Sequence, residues 1–211
     1  MVRTRALRLR RESWGFAIGS TLFALGALPG YANAVDVQFD NITYFVGSLF
    51  FTTAAFIQLA LSGRRPPRRG AHRVERCDWY SAAVQFVGTL LFNVSTGVAL
   101  VRSLSVEEAD RWVWRPDMYG SIAFLVSSAL AVVATTETDR LWDPRARNWL
   151  STWLNMAGSV AFGVSAVAAF VDPSTGDLRN AGVANLGTFV GALCFLVAAL
   201  LTLPPADSES S

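Results

Sequence analysis

Apolar residues along this chain gather into long windows without charge, at residues 13–33, 42–62, 79–101, 118–136, 148–171 and 181–203. Each is close to the ~20 residues an α-helix needs to cross a hydrocarbon core of roughly 30 Å. No Asp, Glu or Arg falls well inside any of them. Helices of a soluble bundle would carry a polar stripe at the 3.6-residue period, whereas these segments are apolar all round. The pattern predicts an all-α, polytopic membrane protein with six transmembrane helices and no charge buried among them.

A shorter pattern lies inside the windows. Gly19-Ser20-Thr21-Leu22-Phe23 has the form G-small-x-x-F, which returns at Gly88–Phe92 and Gly158–Phe162 in the odd-numbered windows. The even-numbered windows carry it at Gly47–Phe51, Gly120–Phe124 and Gly191–Phe195. Self-similarity at a near-constant spacing marks a repeat architecture. The simplest account is one two-helix hairpin present three times, as parallel repeats. Gly and the Phe four residues later share a helix face, and in lipid small residues let helix backbones approach. The twelve Gly and Phe positions are therefore candidate helix-packing residues, a notch beside a knob. The resulting division is a basic N-terminus (1–13), hairpins at 14–62, 79–136 and 149–203, connecting loops at 63–78 and 137–148, and a flexible tail (204–211).

Charge sets the orientation. All eighteen basic residues are arginine. Fourteen lie in the N-terminus and in the 62–78 and 137–147 loops, and four in the connections on the other side. The arginine-rich side is expected to be cytoplasmic, which places both termini inside a plasma membrane. The seven tryptophans, from Trp14 and Trp79 through Trp112, Trp114, Trp142, Trp149 and Trp153, fall in or near the expected interfacial zones.

Residues 15–34 remain open to two readings. Five arginines, a short apolar run and Ala32-Asn33-Ala34 have the layout of a cleavable secretory signal. The repeat favours retention, because the first helix would otherwise be missing from its hairpin. Pro29-Gly30 is expected to end that helix.

Seven polar residues inside the windows are candidates for a polar interior: Gln58, Gln85, Asn93, Ser95, Thr96, Asn155 and Asn185. Such residues usually face the bundle interior. Interhelical hydrogen bonding is the favoured role, and a ligand cavity or polar path the alternative. In the 105–120 connection, Asp117 is expected to cap the fourth helix at its N-terminus, with Arg115 pairing to Glu107, Glu108 or Asp110. The alternative there is a loop folded over a cavity mouth.

Chemistry finds little support. His72 is the single histidine and has no ligand-spaced partner, so no metal site is expected. Cys77 and Cys194 are not placed to pair. No P-loop, dinucleotide, G-x-S-x-G or H-E-x-x-H pattern is present. The expectation is a non-enzymatic chain without cofactor or nucleic-acid partner, in contact with lipid and with a second copy or another membrane protein.

The stretches Glu12–Gly26 (E-x-W-G-F-x-I-G-S-x-L-F-x-x-G), Phe45–Gln58, Gly88–Thr96 and Trp114–Leu125 (W-R-P-D-x-x-G-S-I-A-F-L) resemble the YrhK-like family of bacterial membrane proteins. The resemblance covers the first four helices and is closest in the first hairpin. It implies small helical-hairpin membrane units with no established activity and carries no catalytic residue. The leading functional expectation is a structural or partner-binding membrane unit. The alternative is a small-molecule channel or transporter lined by Asn93, Ser95, Thr96, Asn155 and Gln85.

Overall fold

The computed structural model describes residues 2–63, 65–68, 70–101, 103–138 and 146–204. Among these it is helical, with a lone β-bridge between Val171 and Leu178 and no strand. The order is α1 (Val2–Gly26), α2 (Tyr31–Val35), α3 (Val37–Ser62), α4 (Arg73–Val98), α5 (Val106–Ala109), a π-helical turn (Asp110–Trp114), α6 (Arg115–Thr138), α7 (Arg147–Ala168) and α8 (Ala181–Leu201). Trp142, most of the 137–148 loop and residues 205–211 of the tail lie outside the described residues.

Five segments are long and apolar enough to cross a membrane: Val37–Ser62, Arg73–Val98, Val106–Thr136, Arg147–Ala168 and Ala181–Leu201. The first helix differs from expectation. It starts at Val2 instead of near residue 13, because arginine is a good helix former and nothing breaks the basic segment. It ends at Gly26, so its apolar part from Ser13 onward falls short of the ~20 residues of a full span. The chain then turns through Gly30, whose φ of 89° suits glycine, into the short α2.

The six long helices form a closed ring. Each packs on two neighbours in the order α1, α3, α4, α6, α7, α8 and back to α1. Their outer faces are apolar, with Phe56, Val87, Ile122, Val164 and Leu186 all exposed. Their inner faces meet in a core of phenylalanine and alanine.

The six G-small-x-x-F stretches build that core. Within the α1–α3, α4–α6 and α7–α8 pairs the two stretches run past each other in opposite directions, so the glycine of each lies opposite the phenylalanine of the other. A Cβ at Gly19 would stand 3.0 Å from a Phe51 ring carbon, and one at Gly47 2.9 Å from Phe23. The same reciprocal contact joins Gly88 with Phe124 (2.8 Å) and Gly120 with Phe92 (3.3 Å). It recurs between Gly158 and Phe195 (3.2 Å), and Gly191 lies directly against the Phe162 ring. All six glycines are buried.

The six rings converge. Phe23, Phe92 and Phe162 form one triangle with centroids 5.9–6.4 Å apart. Phe51, Phe124 and Phe195 form a second, at 5.7–6.4 Å. Within each helix pair the triangles touch at 5.3, 5.1 and 5.4 Å. Most of these contacts are edge to face, the arrangement the ring quadrupole favours, worth ~0.5–1.5 kcal/mol per pair beyond area burial.

The small residue after each glycine is shut off from solvent: Ser20, Ser48, Thr89, Ser121, Ser159 and Ala192. These line the seams between pairs. Ser48 Oγ bonds Thr96 Oγ1 across α3–α4 at 3.0 Å, and Ser159 Oγ bonds Ser128 Oγ across α6–α7 at 2.8 Å. At the third seam Ser13 and Thr202 join α1 to the end of α8 at 3.1 Å.

Gly88→Ala should lower the melting temperature of the detergent-solubilised protein by the equivalent of ~1–3 kcal/mol, the usual cost of overpacking. The new methyl would sit 2.8 Å from the Phe124 ring and 3.1 Å from Ala123 Cβ. An unchanged melting curve would contradict the tight fit.

Candidate functional site

The phenylalanine layer divides the interior into two cavities. One opens toward the end that carries α2 and the 169–180 connection, termed here the tip end. It has a volume of about 270 Å³. The other lies toward the end of Ser13 and Thr202, the terminal end, and is a much smaller pocket of about 60 Å³.

The tip cavity has Phe23 and Phe162 in its floor. Tyr44, Asp117 and Thr188 stand in its wall, each four residues before the small residue of its motif and so one turn nearer the tip. A further turn on come Asn41, Trp114 and Asn185. Ser95 and Ser165 enter from α4 and α7. Several of these groups are committed. Asn41 Nδ2 donates to the Ala99 carbonyl at 2.9 Å, and Trp114 Nε1 to the Ala166 carbonyl at 2.9 Å. Ser165 Oγ donates to the Ala184 carbonyl at 2.7 Å and also bonds Thr188 at 2.8 Å.

Asp117 is different. Its side chain is part-buried and faces the cavity, with no ion pair or hydrogen bond among the described residues. The expectation that it caps a helix is corrected here. The helix begins eleven residues earlier, where Ser105 and Glu108 form a reciprocal capping box (3.2 and 2.9 Å). It then continues through Pro116. That proline has no N–H for the Trp112 carbonyl. The π turn just before it, in which the Arg115 N–H reaches back to Asp110, absorbs the mismatch. Arg115 also pairs with the Asp110 carboxylate at 2.8 Å, leaving Glu107 to solvent and Glu108 to the capping box.

The connection from Ala169 to Asn180 folds over the mouth. Val171 and Leu178 bridge and line the cavity. Ser174 donates to Asp172 from its hydroxyl (2.6 Å) and backbone (2.8 Å), holding that exposed carboxyl below the usual carboxylate range.

The terminal pocket is floored by Phe51, Phe124 and Phe195 and lined by Glu12, Gln58, Gln85, Asn155 and Thr202. Gln85 Oε1 accepts from Ser127 Oγ at 3.2 Å, whereas Gln58 Oε1 is buried without a partner.

The seven candidate polar residues therefore do not line one path. Ser95, Thr96 and Asn185 belong to the tip cavity, and Gln58, Gln85 and Asn155 to the terminal pocket. Asn93 lines neither, its Oδ1 buried and unpartnered. The expectation of an interior free of charge also needs correction. Glu12 and Asp117 each face a cavity, and Asp40 Oδ1 is buried without a partner. Windows drawn to stop at the first charged residue excluded all three by construction. Their spacing from the repeated motif was the available signal.

His72 caps α4 by accepting from the Val74 N–H at 3.4 Å, and Cys77 and Cys194 are free thiols. Among the described residues no group of three or more His, Cys, Asp or Glu side chains comes together. No protein-family model, curated protein or solved structure matches the chain.

Asp117→Asn removes an uncompensated charge while keeping the shape. In protein free of added ligand it should raise stability by ~1–2 kcal/mol, a fraction of the several kcal/mol a fully desolvated ion costs. A drop in melting temperature would reveal a stabilising partner for the carboxylate.

Proposed function

We propose that the chain is a six-span plasma-membrane protein of three like-oriented hairpins, with both termini cytoplasmic, acting as a non-enzymatic structural or partner-binding unit. The observation that carries this reading is the closed layer of six phenylalanines between the two cavities. A conducting path would have to pass through it, and the polar residues on either side are not continuous across it.

Several features support the arrangement. Five segments have the length and hydropathy of spans, and the apolar exterior suits acyl chains. The first helix completes a sixth span when the apolar connection 27–35 is counted with it. Its Phe23 belongs to the core and Gly19 to the interlock, which favours retention of residues 15–34 over signal cleavage. The recurrence of one glycine–phenylalanine contact in three helix pairs favours triplication of a hairpin over chance. The same register accounts for two orphan hydroxyls, Ser20 and Ser121. The positions equivalent to Ser128 and Thr96, which bond Ser159 and Ser48, fall here on Ala199 and Ala166. The YrhK-like resemblance fits a membrane hairpin unit and remains part of the proposal, as does lipid, with a second copy or another membrane protein, as partner.

Thr175 lies in the tip connection and Pro66 in the arginine-rich one. With Cys77 and Cys194 replaced by alanine, Thr175→Cys should react with a membrane-impermeant maleimide on intact cells, and Pro66→Cys only after lysis. The reverse result would invert the orientation, and equal labelling of both would remove the span reading.

Proteoliposomes containing the wild-type protein should hold a potassium gradient as long as protein-free liposomes do. A protein-dependent leak would move the function to the channel reading.

A further inference from the structure

From the tip cavity we infer a second property, which rests on the three-hairpin reading: the cavity is a binding site for a small organic ammonium ion, with Asp117 as its counter-ion and the aromatic floor and wall as its cradle.

The charge argument comes first. Among the described residues, Asp117 is the acidic side chain that lines the cavity, and no arginine lines it. The nearest cation in sequence, Arg115, is engaged with Asp110 at 2.8 Å and points to solvent. A carboxylate in a largely apolar cavity wall, part-buried and without a partner, favours a proton or a cation beside it, because desolvating an unpaired charge is costly. The cavity beside it gives the cation a place.

The choice of cation follows from the other groups. A metal ion such as calcium asks for six or more oxygens, and one carboxylate with scattered hydroxyls falls short. Aromatic faces are abundant instead: Phe23, Tyr44, Trp114 and Phe162 all line the space. Cations with an apolar surface gain ~0.5–2 kcal/mol over such faces. The Tyr44 and Ser95 hydroxyls line the cavity and make no hydrogen bond among the described residues, so both are available to accept from ammonium N–H groups. Asn185 stands at the mouth. At about 270 Å³ the space lies just below the ~300–1,000 Å³ of pockets that hold drug-sized ligands, so the ligand is smaller than those.

A comparison within the chain supports a ligand that is not three-fold symmetric. The interlocking positions hold Gly and Phe in all three hairpins. One turn toward the tip, the equivalent positions hold Tyr44, Asp117 and Thr188. Packing explains the sameness of the first set, whereas the second differs in charge, size and hydrogen-bonding capacity, as one ligand with one charged end would require.

The test uses the full-length protein in detergent, titrated with ethylammonium chloride and tetramethylammonium chloride against sodium and potassium chloride at equal ionic strength. Melting temperature and calorimetric heat are followed together. The wild type should show a saturable upward shift with at least one ammonium salt and none with the alkali salts. Asp117→Asn should weaken that binding at least tenfold while remaining folded. Tyr44→Phe should weaken it by a smaller factor and serves as the second variant if Asp117→Asn misfolds. No saturable response to either ammonium salt, a response to sodium or potassium alone, or undiminished binding in Asp117→Asn would each overturn the inference. Maleimide labelling at position 175 reads the span arrangement independently, so failure of the cavity and failure of the topology are separately visible.

Discussion

The reciprocal fit of glycine against phenylalanine is the constraint on which the bundle depends. In lipid the hydrophobic effect no longer drives helices together, so association rests on close packing and on hydrogen bonds that hydrocarbon cannot supply. A ring set into a glycine notch answers the first need. Because the helices of a pair are antiparallel, a single five-residue pattern is complementary to itself. Gly88 receives Phe124 and Gly120 receives Phe92 without any further specification. Each pair thus presents two rings about one helical turn apart in depth, and three pairs bring six rings into two stacked triangles. The two cavities lie on either side of that double layer.

The seams between pairs work differently. At the motif level they hold fully buried serine, threonine and alanine, with hydroxyl bonds at two seams, and the α3–α4 seam adds the Phe45 ring against Gly97 and a Phe56–Phe86 contact. Such interhelical bonds average ~0.6 kcal/mol in membranes. The α1–α8 seam has alanine where the others have a bonding partner, and is instead joined near its end by Ser13 and Thr202. The pairs are therefore the tightly specified units, and their assembly into a ring is the looser step.

Much of this was legible in the sequence. The apolar windows marked the helices, and the repeated motif identified the residues that now form the core. What the windows hid is equally instructive. A charged residue ends an apolar window, yet Glu12 and Asp117 sit only a turn or two from the motif and their helices run on through them, so the helical period turns them inward. Asp117 looked like a cap because proline precedes it, and no local rule foretells that a π turn will carry a helix across Pro116. The polar residues were recognised one by one, but their division between two cavities depends on depth relative to the phenylalanine layer. That layer emerges only when three pairs are assembled.

The ring has one join that is not covalent along the chain, between α8 and α1. At the other two joins, α3–α4 and α6–α7, the helices follow one another in the chain, so topologically the three joins are interchangeable. A polypeptide that began at α4 or α7 and ran once around would enclose the same rings and the same cavities.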